Sequence, residues 1–321
     1  MSKVFLTGAT GFVGSHVLRA LRTGGYDVRA LVRSGGPERS GHGDSSEIDE
    51  GVEYVQGDLL ESGALVRALD GCRYVVHCAA LYSFAPHARP LMHRVNVLGT
   101  TGLLEAARIA GVERAVVTSS TGVLHARERH ASAYHRSKVE QERAALAARV
   151  PTVLVLPSAP VGPHDVKPTP TGKLLLDFAR GKIRVAPPRG GMNVVAVEDV
   201  AHAHVAALER GRGRERYIVG GENLTFDQIW SMLAEITGRP NPRVRVPYAV
   251  MLAAGWCDEL RCRYVQRDAE PFVPLEGVRM SRDRMFTDGA SARQELGLGA
   301  PSSVHGAMER AIQWYRARGY A

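Results

Sequence analysis

One predicted strand from the N-terminus, the chain reads Thr7-Gly8-Ala9-Thr10-Gly11-Phe12-Val13-Gly14 and then turns helical. Few folds accommodate three glycines placed there. Gly8 permits a tight turn, Gly11 lets the backbone approach a ligand, and Gly14 lets the following helix pack on the strand. A helix opened in this way points amide donors and a partial positive charge at whatever lies before it. Glycines also serve plain turns. With further strand–helix units behind it, however, this turn fits the pyrophosphate of a dinucleotide. Gly8, Thr10, Gly11, Phe12, Val13 and Gly14 are therefore candidate cofactor-binding residues.

The first half alternates short apolar runs with helical stretches, the pattern of a parallel sheet with crossover helices. Strands are predicted over Lys3 to Thr7, Asp27 to Val32, Val52 to Gln56, Tyr74 to His77, Ala115 to Thr118 and Thr152 to Leu156. Helices are predicted around 14–23, 63–69, 97–110 and 134–149. Ser34 to Glu50, rich in Gly, Ser and charge, reads as a mobile loop. After Leu156 the chain becomes proline-rich, with Pro157, Pro160, Pro163, Pro168 and Pro170. Two further strands follow at 194–197 and 217–219, with a helix between them, and the remainder is mainly helical. The fold class is α/β, a doubly wound parallel sheet with a smaller, mostly helical C-terminal lobe. The expected division is residues 1–160 plus 193–220 for a dinucleotide-binding Rossmann domain, and 161–192 plus 221–321 for a substrate lobe.

Composition mainly removes alternatives. No apolar stretch is long enough for a transmembrane helix, and the glycine turn follows the N-terminus too closely for a signal peptide. A cytoplasmic protein is expected. Cys72, Cys78, Cys257 and Cys262 are too few and too scattered for a disulfide framework, and no ligand spacing points to a metal. The 41 basic and 33 acidic residues give a net charge of +8. The arginines are dispersed rather than clustered with aromatics, so the charge reads as solvated surface and nucleic-acid binding is not expected.

Cofactor choice should be written at the end of the second strand, where an NAD enzyme places an acid for the ribose 2′-hydroxyl. Here Ala30-Leu31-Val32-Arg33-Ser34 has no acid. A guanidinium at Arg33 can grip a 2′-phosphate bidentately, which favours NADP(H). A solvent-facing arginine is the plain alternative, and NAD(H) stays open. Asp58, followed by Leu59, could accept from an adenine amino group or cap a helix. Ala79 and Ala80 end the fourth strand with small residues that leave room for a cofactor.

Tyr134 and Lys138 lie four apart, on one helical face. A tyrosine of pKa about 10 is a poor acid or base near neutrality. A fixed ammonium nearby favours the phenolate and brings it towards working range. The pair follows Thr118-Ser119-Ser120, whose last hydroxyl can donate to a substrate oxygen. Asn96, at the start of a crossover helix, could order a water relay to Lys138, or could be a cap or kink.

In this order the glycine turn, Gly57-Asp58-Leu59, His77-Cys78-Ala79-Ala80, Asn96 with Gly99-Thr100, Thr118-Ser119-Ser120 and the Tyr134/Lys138 pair resemble the extended short-chain dehydrogenase/reductases. The resemblance is to the NAD-dependent epimerase/dehydratase branch that holds dihydroflavonol reductases and nucleotide-sugar epimerases, and it covers essentially the whole chain. Pro157 to Pro163, Lys167 to Gly172 and Gly220 to Thr225 are similar to the hopanoid-associated sugar epimerases, a name that suggests a lipid-linked or isoprenoid substrate. The resemblance implies that Ser120, Tyr134 and Lys138 are catalytic, with Asn96 in support, and that Arg33 reads the 2′-phosphate. It also implies that Thr118, Pro157 and Pro160 touch the cofactor, Pro157 bordering the nicotinamide, and that a homodimer forms through the long crossover helices.

Two departures bear on the substrate. Nucleotide-sugar epimerases carry an arginine for the substrate diphosphate where this chain has Met192 and Asn193. The stretch from Ser120 to Tyr134, which walls the pocket in the family, spans only 14 positions. The pocket is thus either unusually open or closed by another element. Tyr82 and Phe84 could line it, and so could the apolar run 248–256, which reads equally as a core helix. His202 and His204, two apart on a helix, are not read as ligands. The leading expectation is an NADPH-dependent ketoreductase for a fairly hydrophobic small molecule. The alternatives are an epimerase or dehydratase of a sugar or lipid-linked polyol, and a non-catalytic NADP-binding sensor.

Overall fold

The structure is a computed structural model that describes residues 2–33, 51–125, 132–186, 189–242, 244–267 and 269–321. Its first half runs β1 (Lys3–Thr7), α1 (Phe12–Thr23), β2 (Asp27–Val32), β3 (Val52–Gln56), α2 (Ser62–Ala68), β4 (Tyr74–His77), α3 (Arg89–His93), α4 (Thr100–Ile109), β5 (Arg114–Thr118), α5 (Gly122–His125), α6 (Ala133–Ala147) and β6 (Thr152–Pro157). The second half runs β7 (Ala159–Val161), α7 (Pro170–Ala179), β8 (Val185–Ala186), β9 (Gly191–Ala196), α8 (Val197–Arg210), β10 (Arg216–Val219), β11 (Glu222–Thr225), α9 (Phe226–Thr237), β12 (Val244–Arg245), α10 (Tyr248–Tyr264), α11 (Leu275–Met280), β13 (Arg284–Met285), α12 (Ala290–Leu296) and α13 (Val304–Ala317).

Seven strands make one parallel sheet in the order β3-β2-β1-β4-β5-β6-β10. This is the Rossmann-like α/β order, with the switch between β1 and β4 at its centre. The central strands read as continuous apolar runs because helices cover both faces. Val4, Leu6, Val76 and Val116 pack beneath α1 and α8 on one face, and Phe5, Val75, Val117 and Leu154 pack against α4 and α6 on the other. A cofactor laid on such a sheet meets the carboxyl ends of the strands, and every candidate site residue of the first half lies at that edge.

Two elements depart from expectation. The strand at 194–197 does not rejoin the large sheet. As β9 it pairs with β7, β11 and β13 in a second sheet, while β10 fills the open edge beside β6. The apolar run at 248–256 belongs to α10, which is neither a core helix nor deeply packed. Only Gly255, Asp258 and Cys262 of that helix are buried, because its neighbours are chiefly α11 and the 86–88 turn. The third core gathers α7, α9 and α13 around Phe178, Trp230, Leu233 and Met308 instead. Ser34 to Glu50 lies outside the described residues. No helix among the described residues is long and apolar enough to cross a membrane.

Candidate active site

The glycine turn adopts the geometry a dinucleotide needs. Gly8 sits at φ +78°, and a Cβ there would stand 2.6 Å from the Ala79 amide nitrogen. A Cβ on Gly14 would stand 1.9 Å from the Gly8 carbonyl oxygen, so helix and turn touch through bare backbone. The Gly11 amide donates to the Gly8 carbonyl at 2.9 Å, and Gly11 precedes α1 without a capping side chain. The amides of the first turn are thereby left to a ligand, and Thr10 and Gly11 are exposed beside them. These residues fit the pyrophosphate of a dinucleotide.

Arg33 is exposed just past β2, whose Leu31 is in register with Thr7. It therefore lies beside the glycine turn. Asp58 caps a tight turn rather than a helix, accepting from the Leu60 amide at 2.8 Å. Leu59 is a core residue facing Gly99, where a Cβ would stand 2.7 Å from its side chain. Pro157 ends β6 and accepts from the Thr121 amide at 2.9 Å, which draws it against Ser119 to Thr121. Pro160 is half-buried in β7 opposite Val195.

Tyr134 lies in the first turn of α6, a helix capped by Ser132, whose hydroxyl accepts from the His135 amide at 3.0 Å. The Lys138 ammonium is 5.9 Å from the centre of the Tyr134 ring. Burial pushes the Tyr134 pKa up and pulls Lys138 down to about 8. Among the described residues nothing hydrogen-bonds the Tyr134 hydroxyl. Ser120 is half-buried, its hydroxyl accepting from the Gly122 amide at 3.1 Å.

Lys138 is held by a buried chain that sequence reasoning did not find. Its ammonium donates to the Thr118 carbonyl at 2.9 Å and to Gln141 Oε1 at 2.8 Å. Gln141 Nε2 donates to Thr100 Oγ1 at 2.9 Å, and that hydroxyl donates to the Asn96 carbonyl at 2.7 Å. A hydroxyl has one proton, so His77 Nε2, at 2.8 Å, must be the donor to Thr100. His77 Nδ1 is left to accept from Thr7 Oγ1 at 2.6 Å. Burial holds His77 at about 3 and therefore neutral. The chain thus joins β1, β4, α4 and α6. On the other side, Thr118 Oγ1 is 2.8 Å from His204, which burial holds at about 4. His204 is buried against Thr118, and His202 is exposed.

Asn96 occupies a π-helical stretch, Arg94–Gly99, leading into α4. Such a stretch interrupts the α-helical hydrogen-bond pattern just before α4. Oδ1 accepts from the Leu81 amide at 2.8 Å, and Nδ2 donates to the Leu81 carbonyl and to Ser137 Oγ, both at 3.0 Å. The side chain ties the loop after β4 to α6, and only the backbone carbonyl leads, through Thr100 and Gln141, to Lys138.

That loop brings Tyr82 and Phe84 to the site. The Tyr82 ring is centred 4.1 Å from that of Tyr134, and Phe84 is 5.2 Å from Tyr82. Residues 126–131 of the short Ser120–Tyr134 connection lie outside the described residues. The second lobe reaches α6 and the loop after β4, as Glu276 accepts from the Ala133 amide at 3.2 Å and Glu270 accepts from Ser83 at 2.5 Å. Asn193 is buried, joining Asn223 at 2.7 Å and the Gly221 amide at 2.9 Å, and so serves as a hub of the second sheet. Among the described residues no cluster could hold a metal ion.

The model of the NAD dependent epimerase/dehydratase family matches residues 4–220. The chain belongs to that family. It is an NAD(P)-dependent extended short-chain dehydrogenase/reductase, an oxidoreductase that acts on a small molecule. A Synechocystis homologue named for dihydroflavonol 4-reductase is 38% identical, over 98% of this chain and 95% of that protein. Sterol demethylase protein B of Methylococcus capsulatus is 34% identical over 98% of each. The crystal structure of gox2253 superposes with a TM-score of 0.84 at 35% identity, covering 100% of this chain and 99% of that one.

Proposed function

We propose that this family member is an NADPH-dependent ketoreductase for a fairly hydrophobic carbonyl compound. The observation that carries the reading is the apolar wall at the catalytic tyrosine, with the Tyr82 ring 4.1 Å from Tyr134 and Phe84 behind it. Met192 and the buried Asn193 stand where a nucleotide-sugar epimerase keeps its diphosphate arginine, which supports an uncharged substrate. The names of the Synechocystis and Methylococcus relatives support a reductase and an extended apolar substrate.

In this reading Gly8, Thr10, Gly11, Phe12, Val13 and Gly14 hold the pyrophosphate. Arg33 takes the 2′-phosphate and Asp58 the adenine, with Leu59 packing beneath. Ala79, Ala80, Thr118, Pro157 and Pro160 border the nicotinamide half, and Tyr82 and Phe84 the substrate. NADPH, when bound, supplies the hydride. The Ser120 hydroxyl orients the carbonyl oxygen and the Tyr134 hydroxyl gives it a proton. Lys138, fixed by Thr118 and Gln141, stabilises the phenolate left behind. Asn96 holds the Tyr82 loop against α6. Residues 1–158 with 197–220 form the cofactor domain and the rest, including the second sheet of β7, β9, β11 and β13, the substrate lobe, and the crossover helices α4 and α6 form the dimer contact.

The test is to incubate the protein with NADPH and a panel of apolar ketones, and separately with nucleotide sugars. Ketone reduction with one NADPH consumed per alcohol formed is expected. Epimerised sugar without net change in the cofactor would replace this reading with the epimerase one.

A further inference from the structure

The mechanism leaves one buried acid without a part. Glu142, one turn after Lys138 on α6, is 2% exposed. Its Oε1 accepts from the Ser119 hydroxyl at 2.6 Å, and its Oε2 pairs with Arg216 of β10 at 2.9 Å. Both partners are donors, so the group is held as a carboxylate. Burial pushes its pKa up, while Ser119, Arg216 and Lys138 oppose that push. A carboxylate out of water is costly. If holding Ser119 were its whole purpose, the neutral amide of a glutamine would accept the same bond at lower cost. A charge kept there serves something else.

The cation it balances lies one turn back. A spacing of four puts the Lys138 and Glu142 side chains on one helical face. Lys138 is also 2% exposed, and its ammonium donates to two neutral acceptors, the Thr118 carbonyl and Gln141 Oε1. The other titratable groups around it carry no negative charge near neutral pH. Burial holds His77 at about 3, pushes the Cys78 thiol up to about 11 and raises Tyr134. His204, behind Thr118, is held neutral at about 4. Against the burial that pulls Lys138 down to about 8, Glu142 is left as the anion that favours the ammonium.

The same carboxylate reaches the other proton-handling group. Ser119 directly precedes Ser120, so its bond to Glu142 ties the end of β5 to α6. Arg216, with 49% of its side chain exposed, closes the arrangement from the neighbouring edge strand.

We propose that Glu142 is the counter-ion of Lys138, a positioning residue that keeps the ammonium charged while it holds the Ser120 end of β5 against α6. This assignment rests on the role given to Lys138 above, but its test needs neither substrate nor cofactor. The chain has five lysines, few enough for each to be followed by carbon-13 NMR of labelled lysine side chains in the full, cofactor-free protein. The Lys138 signal is the one lost in Lys138→Met. Its titration midpoint should fall by about one unit or more in Glu142→Gln. In Glu142→Asp, which keeps the charge, it should stay closer to the parent. A midpoint that Glu142→Gln leaves unchanged overturns the proposal, as does an equal fall in Glu142→Asp. Should Glu142→Gln alone not fold, a thermal melt of the double variant Lys138→Met/Glu142→Gln decides. With the ammonium gone no charge is left to balance, and folding should return; a double variant that also fails to fold overturns the proposal. If the midpoint falls as expected while no ketone is reduced, the counter-ion stands and the reductase reading falls.

Discussion

On the sheet side of Tyr134, the side chains of Thr7, His77, Thr100, Gln141 and Lys138 are buried and hydrogen-bonded in sequence, with both ends on backbone or strand. On the opposite side, α10 and its extension leave Leu260, Tyr264, Val265 and Phe272 in the open. The first region has a fixed geometry, because a buried polar chain tolerates no missing partner. The second retains apolar area that only another surface can cover. The difference separates a region fixed by its hydrogen bonds from one that tolerates change, and substitutions in the two regions should behave differently.

The largest effect is expected at the proposed catalytic pair. Tyr134→Phe and Lys138→Met should each lower turnover by about 10²–10⁴-fold with the fold retained, measured as NADPH-linked ketone reduction beside a thermal melt. Intact turnover in Tyr134→Phe would remove the mechanism whatever the substrate.

Gln141→Leu comes next. It removes the acceptor from Lys138 and the donor from Thr100, and should destabilise the fold by about 1–3 kcal/mol. It should also move a pH limb. Burial lowers Lys138 to about 8, so it is charged below that value and the rate should decline as pH rises through it. Losing an acceptor that favours the ammonium moves the decline to lower pH. A pH–rate profile with an unchanged limb would show that Gln141 only fills space.

Acid stability gives a smaller signal from the same region. His77 and His204 are held at about 3 and about 4 against an ordinary value of 6.5. Between those values the unfolded chain binds more protons than the folded one, so stability is complete above about pH 6.5 and falls as pH drops. Denaturant melts should show the fall shrinking in His204→Gln. The smallest effect is expected at α10, where Leu260→Ser should change stability by less than about 0.5 kcal/mol. A larger loss would mean that the helix is packed more tightly than its exposure implies.

Much of this was legible in the chain itself. Strands β1 to β4 match expectation residue for residue, because β1 and β4 are short apolar runs, β2 alternates and β3 lies at the sheet edge, each closed by polar or glycine residues. The Tyr134/Lys138 pair was visible because helical spacing is local. His77, Thr100 and Gln141 were not, since each is an ordinary polar residue until four elements converge, although Gln141 lies one turn beyond Lys138. The core-helix reading of the apolar run in α10 fails for the converse reason, as composition records that a helix is greasy and not whether anything covers it. For β9, a strand pattern could not say which of two sheets it would join.

The cofactor titration tests the central claim most directly. Arg33 stands exposed beside the glycine turn, with no acid at the end of β2. Cofactor-free protein titrated with NADPH and NADH should bind NADPH exchangeably and more tightly, and Arg33→Ala should erase about tenfold to hundredfold of that preference. Tightly retained NAD⁺, or equal affinity for the two nucleotides in parent and variant alike, would contradict the reductase reading and the role given to Arg33.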